Sequence, residues 1–270
     1  MPALYVVATP IGNLEDISLR ALRTLREVKL IAAEDTRKTK RLLSTYDIKT
    51  PLTSYHEHNK WTKLSYILNH LEDEDVALVS SAGMPGMSDP GYELIVATSQ
   101  RDIPVVPIPG PSAVITALVT SALPTERFSY IGFLPNKATG RRRLLESIAG
   151  EHDTIVTLES PHRLLATLND MLLILGDRRI AVCRELTKLF EEVFRGTVSQ
   201  AIEHFTAPRG EFTLVIEGKK EEDKPQLTEA IEKQLQNMRL SGIAAKEAIA
   251  KMTRETGLSK KELYRAWLRL

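Results

Sequence analysis

The stretch 76–92, VALVSSAGMPGMSDPGY, constrains this chain more than any other. Its first four residues, Val76 to Val79, are apolar and read as a buried strand. A loop of small and turn-forming residues follows from Ser80 to Pro90, and a helix resumes beyond it. Gly83 and Gly86 permit positive φ or close backbone approach, while Pro85 and Pro90 fix φ. A buried strand that ends in a long, shaped loop is where parallel α/β sheets hold ligands. The plainer alternative is a connection leading into a helix.

The flanking sequence sets the architecture. Apolar runs at 4–8, 30–33, 76–79 and 104–108 alternate with helical patterns. The helices run to residue 28, capped by Asp16 or Ser18, and over 39–46, 60–71, 92–100 and 113–122. Such alternation predicts a mostly parallel α/β domain over residues 1–122. A second domain, 123–218, has strands at 128–133, 154–158, 180–184, 192–196 and 212–217. Helices are expected after a basic loop at 136–143 and over 164–175 and 198–205. The close strand spacing predicts a mixed sheet with antiparallel pairs. A charged linker, 219–225, leads to an all-helical segment, 226–270, with helices at 227–238, 243–256 and 260–270. Ser259 and Glu262 form a capping-box pattern there, and the last two helices resemble a helix-turn-helix. Tyr264 and Trp267 share a face and read as core. The fold class is therefore α/β: two α/β domains facing across a cleft, plus a small C-terminal all-helical domain.

Charge is uneven along the chain. The net charge is +1 over 270 residues, but residues 224–270 carry +5 and residues 1–223 carry −4. A basic segment on a mildly acidic body suggests contact with a polyanion; a solvated helical surface is the alternative. The single cysteine, Cys183, excludes an internal disulfide and sits in an apolar run as packing. No apolar run reaches the ~20 residues of a membrane span, and the N-terminus lacks the pattern of a signal peptide, so a cytoplasmic setting is expected. No G-x-G-x-x-G follows the first strand, and there is no P-loop and no G-x-S-x-G elbow. His56 and His58 around Glu57 lack a clustered third ligand, so no metal is expected. Several strand ends carry polar or small-residue loops: 10–13, 80–90, 109–113, 159–163 and 185–188. In a parallel sheet these gather on one edge. The helix N-terminus after Pro111 suits a carboxylate, and Met84, Met87 and Ile108 suit a flat ring.

Eight motifs occur in one order: TPIGNL at 9–14, AAEDTR at 32–37, the central loop, PGPSA at 109–113, GFLP at 132–135, ESPHR at 159–163, RELTK at 184–188 and GEFTLVIEG at 210–218. Together they resemble the small-subunit ribosomal RNA methyltransferases of the tetrapyrrole methylase superfamily, over essentially the whole chain. The resemblance implies a two-domain methylase fold with S-adenosylmethionine in the inter-domain cleft. It also implies 2′-O-ribose methylation of a cytidine in the decoding region of small-subunit (16S) RNA, with the RNA or the small ribosomal subunit as partner, and a homodimer. The alternatives are a small-molecule, tetrapyrrole-type methylase and a non-catalytic RNA-binding assembly protein.

By the same resemblance the cofactor wall comprises Pro10, Gly12, Ser80, Ser81, Ala82, Gly83, Met84 and Pro85, with Pro109, Gly110, Pro111, Ser112 and Ala113. Leu158, Glu159, Ser160, Glu185, Leu186, Phe212 and Thr213 close over it. Members of the family this chain resembles usually read S-D-A-G-T-P in the central loop; here Ser81 and Met84 replace the carboxylate and the hydroxyl. Asp89 is close in sequence and is a candidate substitute. Methyl transfer to a 2′-hydroxyl needs a proton acceptor, a lysine of lowered pKa or a carboxylate. The candidates are Lys188 or Glu185, then Glu34 and Asp35. RNA is expected along Arg37, Lys38, Lys40 and Arg41, along Lys137, Arg141, Arg142 and Arg143, and on Lys260, Lys261 and Arg265 of the tail.

Overall fold

A computed structural model describes residues 1–220 and 227–269. It divides into two compact units, Met1–Lys219 and Lys220–Leu270. Most of the expected linker, 221–225, lies outside the described residues.

The first unit holds two five-stranded sheets. The first comprises β1 (Leu4–Val7), β2 (Leu30–Ala33), β3 (Leu52–Ser54), β4 (Val76–Val79) and β5 (Val105–Ile108). Their order is β3-β2-β4-β1-β5, and every pairing is parallel. Every residue of β2 and β4 is buried, as expected where helices cover both faces. One face packs on Ala21, Leu25, Leu42 and Leu43, the other on Ile67, Leu68 and Leu94. Fully burying a side chain such as Leu78 contributes ~1.5–3 kcal/mol, and Leu78→Ala would cost ~2–5 kcal/mol.

Helices α1 (Leu19–Glu27), α2 (Thr36–Thr45), α3 (Lys60–His70), α4 (Tyr92–Ser99) and α5 (Ala113–Thr120) connect these strands and lead onward. Ser18, not Asp16, caps α1: its hydroxyl accepts from the Ala21 N–H. Helix α2 starts three residues before its expected first turn, because Asp35 caps it through the N–H groups of Arg37 and Lys38. Strand β3 is not foreshadowed by the sequence pattern. At three residues it is too short to show alternation, and it follows Pro51 directly.

The second sheet comprises β6 (Phe128–Phe133), β7 (Thr154–Glu159), β8 (Arg179–Arg184), β9 (Glu192–Thr197) and β10 (Phe212–Ile216), in the order β6-β7-β10-β8-β9. Only β6 and β7 run parallel; β10 is antiparallel to both β7 and β8, and β8 to β9, as the spacing predicts. Helices α6 (Ala138–Ile148), α7 (Leu164–Leu175) and α8 (Val198–His204) cover one face. The other face receives α5: its Val114, Ala117 and Leu118 share a buried cluster with Val156, Ala181, Cys183 and Val215. Helix α5 follows the last strand of the first sheet and packs on the second, so it joins the two halves.

The second unit contains α9 (Glu229–Leu240), α10 (Ala245–Thr256) and α11 (Lys260–Arg269) around Leu235, Met252, Leu263 and Trp267. Gly257 ends α10 in the left-handed conformation, φ 72°. Ser259 and Glu262 form the expected reciprocal box. Trp267 is core, under the Arg239 guanidinium, but Tyr264 is 51% exposed. A three-residue step turns a side chain about 60° around the helix, enough to leave a narrow buried stripe.

Candidate active site

The C-terminal ends of β1, β2, β4 and β5 meet the second sheet around a cavity of about 410 Å³. That lies within the ~300–1,000 Å³ of small-molecule sites. The first half contributes Ile11, Glu34, Lys38, Ser81, Ala82, Gly83, Met84, Met87, Asp89, Ser112, Ala113 and Val114. The second contributes Tyr130, Phe133, Leu158, Glu159, Ser160, Pro161, Cys183, Leu186, Glu211, Phe212 and Thr213.

The loop after β4 is built as a wall. Gly83, at φ 77°, exchanges both backbone hydrogen bonds with Thr9, at 2.9 Å each. The buried Ser80 hydroxyl donates to the carbonyls of Ala82 and Gly83, 3.2 and 3.1 Å away. The Glu34 carboxylate accepts the Ser81 N–H at 2.8 Å, tying the end of β2 to this loop. Across the mouth the Ser88 hydroxyl meets the Tyr130 phenol at 2.7 Å. Gly132, at the β6 irregularity and φ 66°, lets the chain pass close to that hydroxyl, which a Cβ there would approach to 3.0 Å. Met87 and Phe133, 49% and 53% exposed, form an apolar lip beside this clasp.

The loop after β1 closes the other end. The Asn13 N–H donates to the Thr187 hydroxyl at 3.0 Å. A Cβ on Gly12 would stand 2.5 Å from Lys188 Cγ and 2.9 Å from the Leu186 carbonyl, so glycine is required. Gly12 thus seats the two loops against each other without itself lining the cavity. Pro10, Ser80, Pro85, Pro109, Gly110 and Pro111 likewise frame the wall from behind, and Glu185 lies outside it. Ser81, Ala82, Gly83, Met84, Ser112, Ala113, Leu158, Glu159, Ser160, Leu186, Phe212 and Thr213 do line it.

Several expected roles change once side chains are placed. Glu159 accepts from Arg163 at 2.7 Å, the Thr167 hydroxyl at 2.6 Å and the Ser160 N–H at 2.7 Å, so its carboxylate is spent inside the second half. Lys188 is gripped by Glu185 at 2.9 Å and Glu211 at 2.7 Å. Burial pulls this ammonium down, but the two carboxylates outweigh burial and hold it above the usual lysine value. That is the opposite of the lowered pKa a lysine base needs. Glu185 is occupied in turn by Lys188 and the Glu211 N–H, and Asp35 by capping α2. Arg141 and Arg142 lie on helix α6, not in a loop, and share Asp170. Arg141 reaches its Oδ2 at 2.6 Å with a side chain only 7% exposed, and Arg142 its Oδ1 at 2.7 Å. Arg141 is thereby withdrawn from any RNA surface. Arg37, Lys38, Lys40, Arg41, Lys137, Arg143 and, in the tail, Lys260, Lys261 and Arg265 are exposed.

Asp89 acquires its place only in the folded chain. It lines the cavity beside Glu34. Burial, reinforced by the Glu34 charge, pushes its carboxyl up to about 7 against the opposing pull of Ser80 and Lys38. Its signal in the sequence is a lone carboxylate in a loop of glycines and prolines, but only the folded loop turns it inward. Burial also pushes the Cys183 thiol up to about 11, which makes it packing rather than a nucleophile.

The tetrapyrrole (corrin/porphyrin) methylase family model matches residues 3–202. The chain belongs to this family. It is 49% identical to the ribosomal RNA small subunit methyltransferase I of Halalkalibacterium halodurans, over 97% of this chain and 93% of that protein. To the protein of the same name in Synechocystis it is 47% identical, over 100% and 99%. To that of Thermotoga maritima it is 52% identical, over 81% of this chain and 100% of that one. Among solved structures, uroporphyrin-III C-methyl transferase from Thermus thermophilus, complexed with S-adenyl homocysteine, superposes with a TM-score of 0.57. At 20% identity, covering 80% of this chain and 97% of that one, it shares the fold. The family fold accounts for the paired sheets and the cavity between them, and no described helix is long and apolar enough to cross a membrane.

Proposed function

We propose that this chain methylates small-subunit ribosomal RNA, taking the methyl group from S-adenosylmethionine. The acceptor in this reading is the 2′-hydroxyl of a cytidine in the decoding region. The observation that carries it is the cavity, walled by both sheets and set beside exposed basic residues. The names of relatives 47–52% identical point to the same substrate.

The wall's chemistry fits the methyl donor. Val114, Leu158, Leu186 and Phe212 offer apolar faces to a ring, and Glu34 offers negative charge to a cation. Helix α5, whose N-cap Ser112 accepts from the Ile115 N–H, offers its N-terminus to a carboxylate. The donor supplies a methyl group already activated by its sulfonium, so the protein's tasks are positioning and proton removal. Phe133 and Met87 shape the entrance. Lys38, Arg37, Arg41, Lys137 and Arg143 meet phosphates, whose neutralisation makes affinity fall with salt. A homodimer and a cytoplasmic setting complete the reading.

The test is methyl transfer to purified small-subunit particles and to naked 16S RNA, with the modified nucleotide mapped. A single 2′-O-methylated cytidine in the decoding region is expected. Transfer to a tetrapyrrole and none to RNA would replace this reading with the small-molecule one, which the family's description favours.

A further inference from the structure

Among the described residues four carboxylates line the cavity: Glu34, Asp89, Glu159 and Glu211. Three are committed. Glu159 is held by Arg163 and Thr167, Glu211 by Lys188, and Glu34 by the Ser81 N–H. Among the described residues Asp89 is held by no cation and no backbone N–H; the Ser80 hydroxyl beside it pulls its pKa down but does not outweigh burial. It also follows Ser88, whose hydroxyl meets Tyr130 across the mouth. A substrate entering past Met87 and Phe133 therefore meets Asp89.

We propose that Asp89 is the catalytic base, the group that takes the proton from the substrate hydroxyl. The inference rests on the methyltransferase reading above. The hydroxyl's O–H bond breaks and its proton passes to an Asp89 carboxylate oxygen. The oxygen's electron pair forms the new bond to the methyl carbon, while the carbon–sulfur bond breaks and leaves its pair on sulfur. A sulfonium, an alcohol and a carboxylate become a thioether, a methyl ether and a carboxylic acid, so charge and atoms balance.

The surroundings suit that task. An ordinary aspartate, near ~3.9, is a poor acceptor for a hydroxyl proton. Burial and the Glu34 charge raise this one to about 7, where a base is about half ionised at neutral pH and far more basic than an ordinary carboxylate. The charged and titratable groups facing it are Glu34 from the end of β2, Lys38 from α2 and the Tyr130 phenol from β6, with the Ser80 hydroxyl beside them. Glu34 raises the basicity of Asp89, and Lys38 restrains it. Glu34 is thus a positioning and tuning residue.

The experiment measures single-turnover methylation of small-subunit particles against pH, with donor binding followed by calorimetry. The wild-type rate should rise with pH to a plateau, with a midpoint near the Asp89 value of about 7. Asp89→Asn should bind the donor yet lose ~10²–10⁴-fold in rate, the usual contribution of a general base. Glu34→Gln keeps an acceptor for the Ser81 N–H but removes the charge, so the midpoint should move to lower pH. The same downward shift should appear in the carbon-13 carboxyl resonance assigned to Asp89, a readout independent of turnover. An Asp89→Asn enzyme that binds donor and keeps a rate within about threefold of wild type, far short of that loss, would overturn the assignment. So would a Glu34→Gln midpoint that stays in place. A wild-type protein that binds no donor and methylates nothing would instead overturn the methyltransferase reading.

Discussion

The Ser88 hydroxyl and the Tyr130 phenol lie 2.7 Å apart, joining the loop after β4 to the first strand of the second sheet. Ser88 reaches this position at φ 65°, a left-handed conformation unusual for serine. One hydrogen bond thus ties the most irregular loop of the first half to the edge of the second. Tyr130→Phe deletes the bond and keeps the ring. Stability should fall by ~0.5–1.5 kcal/mol, the net worth of one such bond, and donor affinity severalfold because the loop is freed. Melting curves with and without donor test this; an unchanged donor-induced shift would show that the clasp does not order the cavity.

Among the described residues Asp170 is the sole carboxylate partner of the buried Arg141, and it also binds Arg142. Asp170→Asn leaves a guanidinium buried without its counter-charge, which costs ~3–5 kcal/mol. Burial alone would raise the Asp170 carboxyl, but hydrogen bonds and charge from the two arginines hold it below the usual carboxylate range. The folded value therefore lies below the unfolded value of ~3.9. This contribution is fully present above that pH and is lost as pH falls through the folded value. Urea unfolding at neutral pH should show the full penalty. The gap between wild type and Asp170→Asn should narrow in acid, and a gap independent of pH would remove Asp170 as its source.

Ser81 lies on a wall that already holds Glu34 and Asp89. Ser81→Asp adds a further negative charge beside them. It should tighten binding of the cationic donor and push the Asp89 carboxyl further up, moving the rising limb of the pH–rate profile to higher pH. Calorimetry and the pH profile read the two effects separately. No change in either would place the substituted carboxylate away from both.

The helical unit is expected to add affinity rather than chemistry. The match to the Thermotoga relative spans 81% of this chain but all of that protein, so that relative lacks a counterpart to about a fifth of the chain. A protein truncated after Lys219 should bind the donor as the full chain does. Its binding to small-subunit particles should weaken and show a shallower salt slope, by up to ~0.7–0.9 for each phosphate that is no longer neutralised. An unchanged slope would remove Lys260, Lys261 and Arg265 from the RNA surface.

Much of the fold is legible in the sequence because burial on both faces of a sheet leaves continuous apolar runs. Strand β2 runs over the expected residues, and β4 and α7 also match, the helix stopped by Gly176 at φ 80°. Strand β3 is hidden by its length. The capping role of Asp35 is hidden because a carboxylate at a strand end reads equally as a catalytic group or a helix cap. Half the candidate wall is legible through the order of motifs. The glycines and prolines among them mostly frame the cavity rather than line it, since close backbone approach leaves no room for a side chain.

The sequence by itself determined the α/β class, the change from a parallel to a mixed sheet, the helical tail and the family. Each rests on local periodicity, turn residues or ordered motifs. Only the tertiary structure decided which carboxylates are free. Glu159, Glu185 and Asp89 look alike in a sequence, and their roles depend on the partners that fold against them. Arg163 and Thr167 take the first, Lys188 and the Glu211 N–H take the second, and the third is left in the cavity beside Glu34. The stretch around Asp89 is recognisable as a ligand loop from its residues; the charge it carries into the cavity is set by neighbours from other strands.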